Sequence, residues 1–242
     1  MCAGFFFLSS ASLFAAELPW NSGEKSTYVI QCGPVQLGFL ALAANQEDPQ
    51  KPFWKFQATF KSSPGINKVL PVDGVDSTLT SRTVVNPWRS LEYHQLRNEG
   101  PYKADTVRTL NYGTSTGTLT KRLDGEGKKE EFSFLRDSFE DPISLLYRIR
   151  RDLQAGQKVD PVYFVIENRK TIKLAARSEP GKDSKMQSVL LEETNPQKED
   201  APKEGLFRKK IEIYFDSSRG MIPVRASLSW GPFSVSFVEK TK

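Results

Sequence analysis

The side chains able to do chemistry are few. His94 is the only histidine of the chain, and it lies beside Glu92 in the strand-like run 91–96. An imidazole next to a carboxylate is half of a nucleophile–base arrangement, yet no Gly-x-Ser-x-Gly elbow presents a serine to it. One histidine excludes a multi-histidine metal site, and two cysteines, Cys2 and Cys32, exclude a cysteine-rich zinc site. The carboxylate pairs Glu130-Glu131 and Glu192-Glu193 are adjacent, so on strands they point to opposite faces. That is poor geometry for a two-carboxylate glycosidase. Gly113-Thr114-Ser115-Thr116-Gly117 lies between strand-like runs and reads as a hairpin turn. A phosphate loop would need a strand before it and a helix after it. The expectation is a protein that is not an enzyme, with no catalytic residues, no cofactor and no metal.

The elements that surround these residues begin with a leader. Residues 1–16, MCAGFFFLSSASLFAA, carry no charged side chain and then break into ELPWNSGEK. The pattern reads as the apolar core of a signal peptide, too short for a transmembrane helix of roughly 20 apolar residues. Cleavage after Ala16 leaves Phe14 where a small residue is preferred, and cleavage after Ala15 leaves Leu13 there. No basic residue precedes the apolar run, and no apolar segment precedes Cys2, which argues against lipidation at that thiol. A buried first strand or helix is the competing reading. The leader implies an exported, periplasmic or extracellular protein, with residues 17–242 as one β-rich domain.

Composition narrows the class. Basic residues number 34 and acidic residues 29, giving a net charge of +5, but the two signs are interspersed. Only Arg148–Arg151 and Arg208–Lys210 are densely basic, which is weak for a nucleic-acid surface. Sixteen Phe can build a substantial core or line an apolar pocket. Once Cys2 leaves with the leader, Cys32 has no internal disulfide partner. It alternates in phase with Tyr28 and Ile30, so it reads as a thiol on an apolar strand face, with an intermolecular disulfide or a reactive thiol as the other readings.

Period-two patterning dominates the rest. Leu228 and Trp230 alternate with Ser227 and Ser229, Gly231-Pro232 turns the chain, and Phe233, Val235 and Phe237 alternate with Ser234 and Ser236. Ile211, Ile213 and Phe215 form another stripe, followed by a turn at 216–220. A dozen or so short strands with turn signals between them predict a mainly β fold, a single curved antiparallel sheet or open barrel. One segment departs from this. Asp141 caps and Pro142 opens a helix over 142–153, with Ile143, Leu145, Leu146, Ile149 and Leu153 on one face and Arg148, Arg151 and Asp152 opposite. The expectation is that this helix lays its apolar face on the sheet and leaves the charged face in solvent. Residues 178–205 are mostly polar, and the stretch near 195–205 reads as a flexible loop.

Several patches, taken in order, carry a resemblance. Gly23-Glu24-Lys25 with Tyr28 and Gly38, then Asp76-Ser77 with Leu79, stand in the first half. Asp141-Pro142 with Ser144, Tyr147 and Arg150 follows, then Ala155-Gly156-Gln157, and Ile222-Pro223-Val224 after the 216–219 turn. Together they resemble a family of exported bacterial proteins, domain of unknown function 3108, over about residues 19–240. The resemblance implies a periplasmic or cell-surface protein with a β-rich curved sheet and one helix. It brings no catalytic residues. Two roles fit such a fold: non-catalytic binding of an apolar, lipid-like ligand such as a lipid or lipoprotein acyl chain, or an assembly factor acting through envelope protein partners. Neither involves nucleic acid or a transmembrane span in the mature protein.

Overall fold

The computed structural model describes residues 18–63, 75–99, 102–123, 126–134, 139–167, 170–180, 185–194, 210–230 and 233–240. The leader 1–16 and the polar stretch 195–205 lie outside the described residues. Eight strands precede the helix: β1 (Glu24–Cys32), β2 (Val35–Gln46), β3 (Phe53–Ser62), β4 (Val75–Val85), β5 (Trp88–Glu99), β6 (Tyr102–Asn111), β7 (Thr116–Leu123) and β8 (Glu126–Ser133). The helix α1 (Pro142–Gln154) is followed by β9 (Val162–Glu167), β10 (Lys170–Pro180), β11 (Met186–Glu193), β12 (Lys210–Asp216), β13 (Ile222–Trp230) and β14 (Phe233–Glu239).

All fourteen strands join one sheet, in the order β8-β7-β6-β5-β4-β3-β2-β1-β14-β13-β12-β11-β10-β9. Every neighbouring pair is antiparallel, so the sheet is two meanders joined where β1 pairs with β14. The two edge strands, β8 and β9, are consecutive in the chain, with α1 between them. The sheet is not closed into a barrel. Its seam is spanned differently: Glu140 forms an isolated parallel bridge with Val165, and Arg108 of β6 donates to the Ile166 carbonyl at 2.6 Å. Phe134, Phe139 and Ile166 bury together over this seam.

Alternation sorts the side chains. Tyr28, Leu42, Ala44, Trp54, Phe56 and Trp88 share the inner face with Ile143 and Tyr147 of α1 in one core cluster. Leu145, Ile149 and Leu153 pack into a second cluster with Tyr163, Leu174, Val189 and Phe215. Gly38 is required where β2 meets β3, because a Cβ there would collide with the Lys61 carbonyl. Gly220 adopts φ +67° and lies against the Pro19 carbonyl, so a side chain there would be both strained and blocked.

The placement of α1 corrects the amphipathic reading. The helix lies inside the curl, held on several sides, and its charged face is not solvated. Asp152 is buried and Arg150 is 1% exposed, while Arg148 and Arg151 are partly covered. The physical reason is pairing at long range, which sequence periodicity does not encode: Arg150 reaches Glu24, and Arg148 reaches Glu140 and Asp160. Leu146, expected at the centre of the apolar face, is only partly buried; Leu145 and Ile149 hold the deeper positions.

Candidate functional site

Two regions gather side chains able to do chemistry. The first is the start of α1. Asp141 accepts from the Ile143 and Ser144 amides, both at 2.9 Å, and Ser144 closes the capping box by accepting from the Asp141 amide. The other Asp141 oxygen accepts from Ser81 at 2.5 Å and Ser90 at 2.7 Å, tying the helix to β4 and β5. Glu140 accepts from Trp88 Nε1 and Ser144 Oγ, each at 2.8 Å, and from Arg148 at 2.7 Å. Burial pushes the Glu140 carboxyl above its ordinary range, and these donors, Arg148 foremost, pull against that shift.

A serine–carboxylate cluster invites a catalytic reading, but the geometry describes a clamp. Both Ser81 and Ser90 are buried and donate to a carboxylate that also caps a helix. Nearby, Arg150 donates to Glu24 at 2.6 Å and to the Pro19 and Gly220 carbonyls, each at 3.2 Å. Its guanidinium sits 5.6 Å from the Trp20 ring and 5.3 Å from that of Tyr147. Tyr147 stacks on Phe56 at 4.0 Å, and Trp20 meets Trp54, Phe56, Trp88 and Tyr147 edge-on. Burial raises the phenols of Tyr28, Tyr112, Tyr147 and Tyr163, so none of them offers a phenolate at neutral pH. Rings that could have lined a cavity here fill it instead.

The second region lies at the other ends of β3–β7, on the face turned away from α1. A groove of about 680 Å³ opens there. Two cross-strand rows form most of its lining. One runs Thr59–Thr78–Leu96–Asp105–Arg122 and the next Lys61–Asp76–Asn98–Lys103. Leu96, 44% exposed, is the apolar side chain of these two rows, while Phe60 and Ala104 belong to the row between them, whose side chains turn to the other face. His94 borders the groove, and the structure pairs it with Asp105, Nε2 to Oδ1 at 2.7 Å, rather than with Glu92. Thr80 and Val107 face it across the neighbouring strands, so the register places no serine directly beside it. Among the described residues no group of His, Cys, Asp and Glu is placed to hold a metal ion. Cys32 is a free, partly buried thiol at the end of β1, opposite Val35 and Val235.

Sequence reasoning singled out His94 but missed its partner and the groove beside it. The available signal was an apolar residue, Leu96, at a position whose alternation assigns it to the wet face. It missed Glu140, Ser81 and Ser90 entirely, because the contacts that join them span more than fifty residues.

An open, curled antiparallel sheet wrapped round one helix, with a groove on its outer face, defines a β-barrel-like protein. The chain belongs to the family described as protein of unknown function (DUF3108), which matches residues 27–238. Its fold is similar to the crystal structure of a beta-barrel-like protein of domain of unknown function DUF1849 from Brucella abortus. The TM-score is 0.55 at 9% identity, over 90% of this chain and 95% of that one. At that identity the likeness concerns fold alone. Among curated proteins none gives a significant match. No helix among the described residues is long and apolar enough to cross a membrane.

Proposed function

We propose that this is an exported, non-catalytic protein of the cell envelope whose outer groove holds a lipid-like ligand. The observation that carries the reading is the contrast between a filled interior and an open groove in which Leu96 stands exposed. The groove's volume falls within the roughly 300–1,000 Å³ usual for small-molecule sites, while the aromatic side chains near α1 are used up in packing on one another. Export is supported by the leader-like apolar run at residues 1–16. The non-catalytic reading is supported by the use of Glu140, Asp141, Ser81, Ser90 and Ser144 in holding α1.

The test starts from protein purified from its own envelope. Native mass spectrometry should show a bound species of lipid mass, and N-terminal sequencing should begin at Ala16 or Glu17. Delipidation should lower the melting temperature and readdition restore it, since a ligand specific to the native state stabilises by about 2.7 kcal/mol at a hundredfold excess over Kd. An unchanged melting curve with no bound species would count against ligand binding. It would favour the envelope assembly reading, in which the β8 edge strand would be the contact. Full-length chain in the cytoplasm would refute export, and a hydrolytic activity lost in His94→Ala would refute the non-catalytic reading.

A further inference from the structure

We infer that the outer groove selects an anionic amphiphile: Lys61, Lys103 and Arg122 take the negative head, and Leu96 begins the contact with the chain. This rests on the ligand-binding reading above and deepens it by naming the ligand's charge. All three cations are exposed, and among the described residues no ion pair engages any of them. The groove's acidic side chains do not cancel them. Asp105 is already held by His94 at 2.7 Å, leaving Asp76, opposite Lys61 in register, as the remaining carboxylate.

The spacing suits a single head group. Lys61 and Lys103 stand in one cross-strand row with β4 and β5 between them, about 14 Å apart at ~4.8 Å per strand. Lysine side chains are long enough to reach into that gap, and Arg122, one strand beyond Lys103 on β7, adds a fork suited to a carboxylate or phosphate. Leu96 lies one row away on β5, between the cations, so an acyl chain leaving the head meets an exposed apolar side chain, flanked in its row by Thr78 and Asp105. A purely polar anion would leave Leu96 in water, and a neutral lipid would leave the three cations without a counter-charge.

Calorimetric titration of delipidated, full-length mature protein tests this with dodecanoate, dodecyl phosphate and uncharged dodecyl maltoside, each below its micellar concentration, and with inorganic phosphate alone. At least one anionic probe should bind about tenfold or more tighter than the maltoside, a difference that shrinks as salt screens the cations. Preference for dodecanoate points to a free fatty acid, and preference for dodecyl phosphate to a phospholipid-type head. The variant K61Q/K103Q/R122Q should lose the preference for the anion while binding the maltoside within twofold of wild type, with an unchanged melting temperature. Equal binding of charged and uncharged probes, or an unaltered preference in the triple variant, overturns the charge assignment and leaves lipid binding standing. Inorganic phosphate binding as tightly as dodecyl phosphate overturns the amphiphile in favour of a small-anion site. Failure of every amphiphile to bind overturns the parent reading and this one with it.

Discussion

The inside of the curl and its outer groove hold similar side chains in opposite circumstances. Around α1 the cation Arg150 is 1% exposed and bound to a carboxylate and two carbonyls. In the groove, Arg122 is exposed, with no ion pair among the described residues. Asp141 inside accepts four hydrogen bonds from amides and hydroxyls, whereas Asp105 outside accepts one from His94. The difference teaches that clustered charge is not by itself a functional site. Where buried charges meet their partners within the chain, the cluster is part of the fold. Where charges stand open beside an apolar patch, something outside the chain can complete them.

Paired substitutions make that comparison quantitative, beginning with the cations. Arg150→Ala leaves Glu24 without its counter-charge in a partly buried setting and removes cover from two rings, at a cost of about 3–5 kcal/mol. Arg122→Ala should stay within about 0.5 kcal/mol of wild type. Urea unfolding midpoints measure both, and equal effects would dissolve the distinction between the regions. The ring stack gives a loss of the same order: Tyr147→Ala removes the partner of Phe56 at 4.0 Å and should cost about 3–5 kcal/mol. Its control is Leu96→Ala, which touches the groove floor and should change stability little while weakening ligand binding. A large loss of stability in the Leu96 variant would mean that the groove residue is core.

The carboxylates come next. Asp141→Ala deletes a helix cap and removes the acceptor of two buried serine hydroxyls, of which Ser81 keeps Thr83 as a partner, for roughly 2–4 kcal/mol in total. Asp105→Ala breaks a partly exposed pair with His94 and should cost no more than about 1 kcal/mol. A loss from Asp105→Ala as large as that from Asp141→Ala would show that the outer face is also built for stability.

These pairs also mark how far sequence reading reached. The strands were legible because one face is buried and the other wet, and Ile213 and Phe215 against Glu212 and Tyr214 announce it. The helix was legible from Asp141-Pro142, and its cap is as the residues implied. Its surroundings were not. Periodicity reports which side chains share a face but not what lies opposite, so Arg148, Arg151 and Asp152 looked solvated until the fold brought Glu140 and Asp160 to Arg148 and the Trp88 ring to Arg151. Trp20 offers another case: a lone aromatic just past the leader turns out to be the ring on which four others converge. The groove was hidden for a similar reason, since its rows draw one or two residues from each of five strands.

The smallest expected effect concerns acid, and it sets two carboxylates of opposite sign against each other. Asp216 accepts from the Ser218 hydroxyl at 2.6 Å, the Ser218 amide at 2.9 Å and Arg219 at 2.9 Å. The Ser218 hydroxyl foremost holds its pKa below the ordinary range; burial opposes this, and the Arg219 guanidinium and the Ser218 amide add to the lowering. A folded-state value below the unfolded one means that the unfolded chain takes up protons first as pH falls. Asp216 therefore stabilises the fold above the unfolded aspartate value of about 3.9 and loses that contribution as pH drops through the folded value. Glu140, raised by burial, does the reverse: its contribution is complete below the ordinary glutamate range and declines as pH rises through the folded value. Asp216→Asn should flatten the acid limb below pH ~4 by less than about 1 kcal/mol, because the site is near the surface and partly screened. Glu140→Gln should remove the fall on the rising side instead, alongside the loss of its ion pair with Arg148. Urea midpoints followed from pH 3 to 8 separate the two, and an acid limb left unchanged by Asp216→Asn would show that the 216–219 turn contributes nothing to stability through its charge.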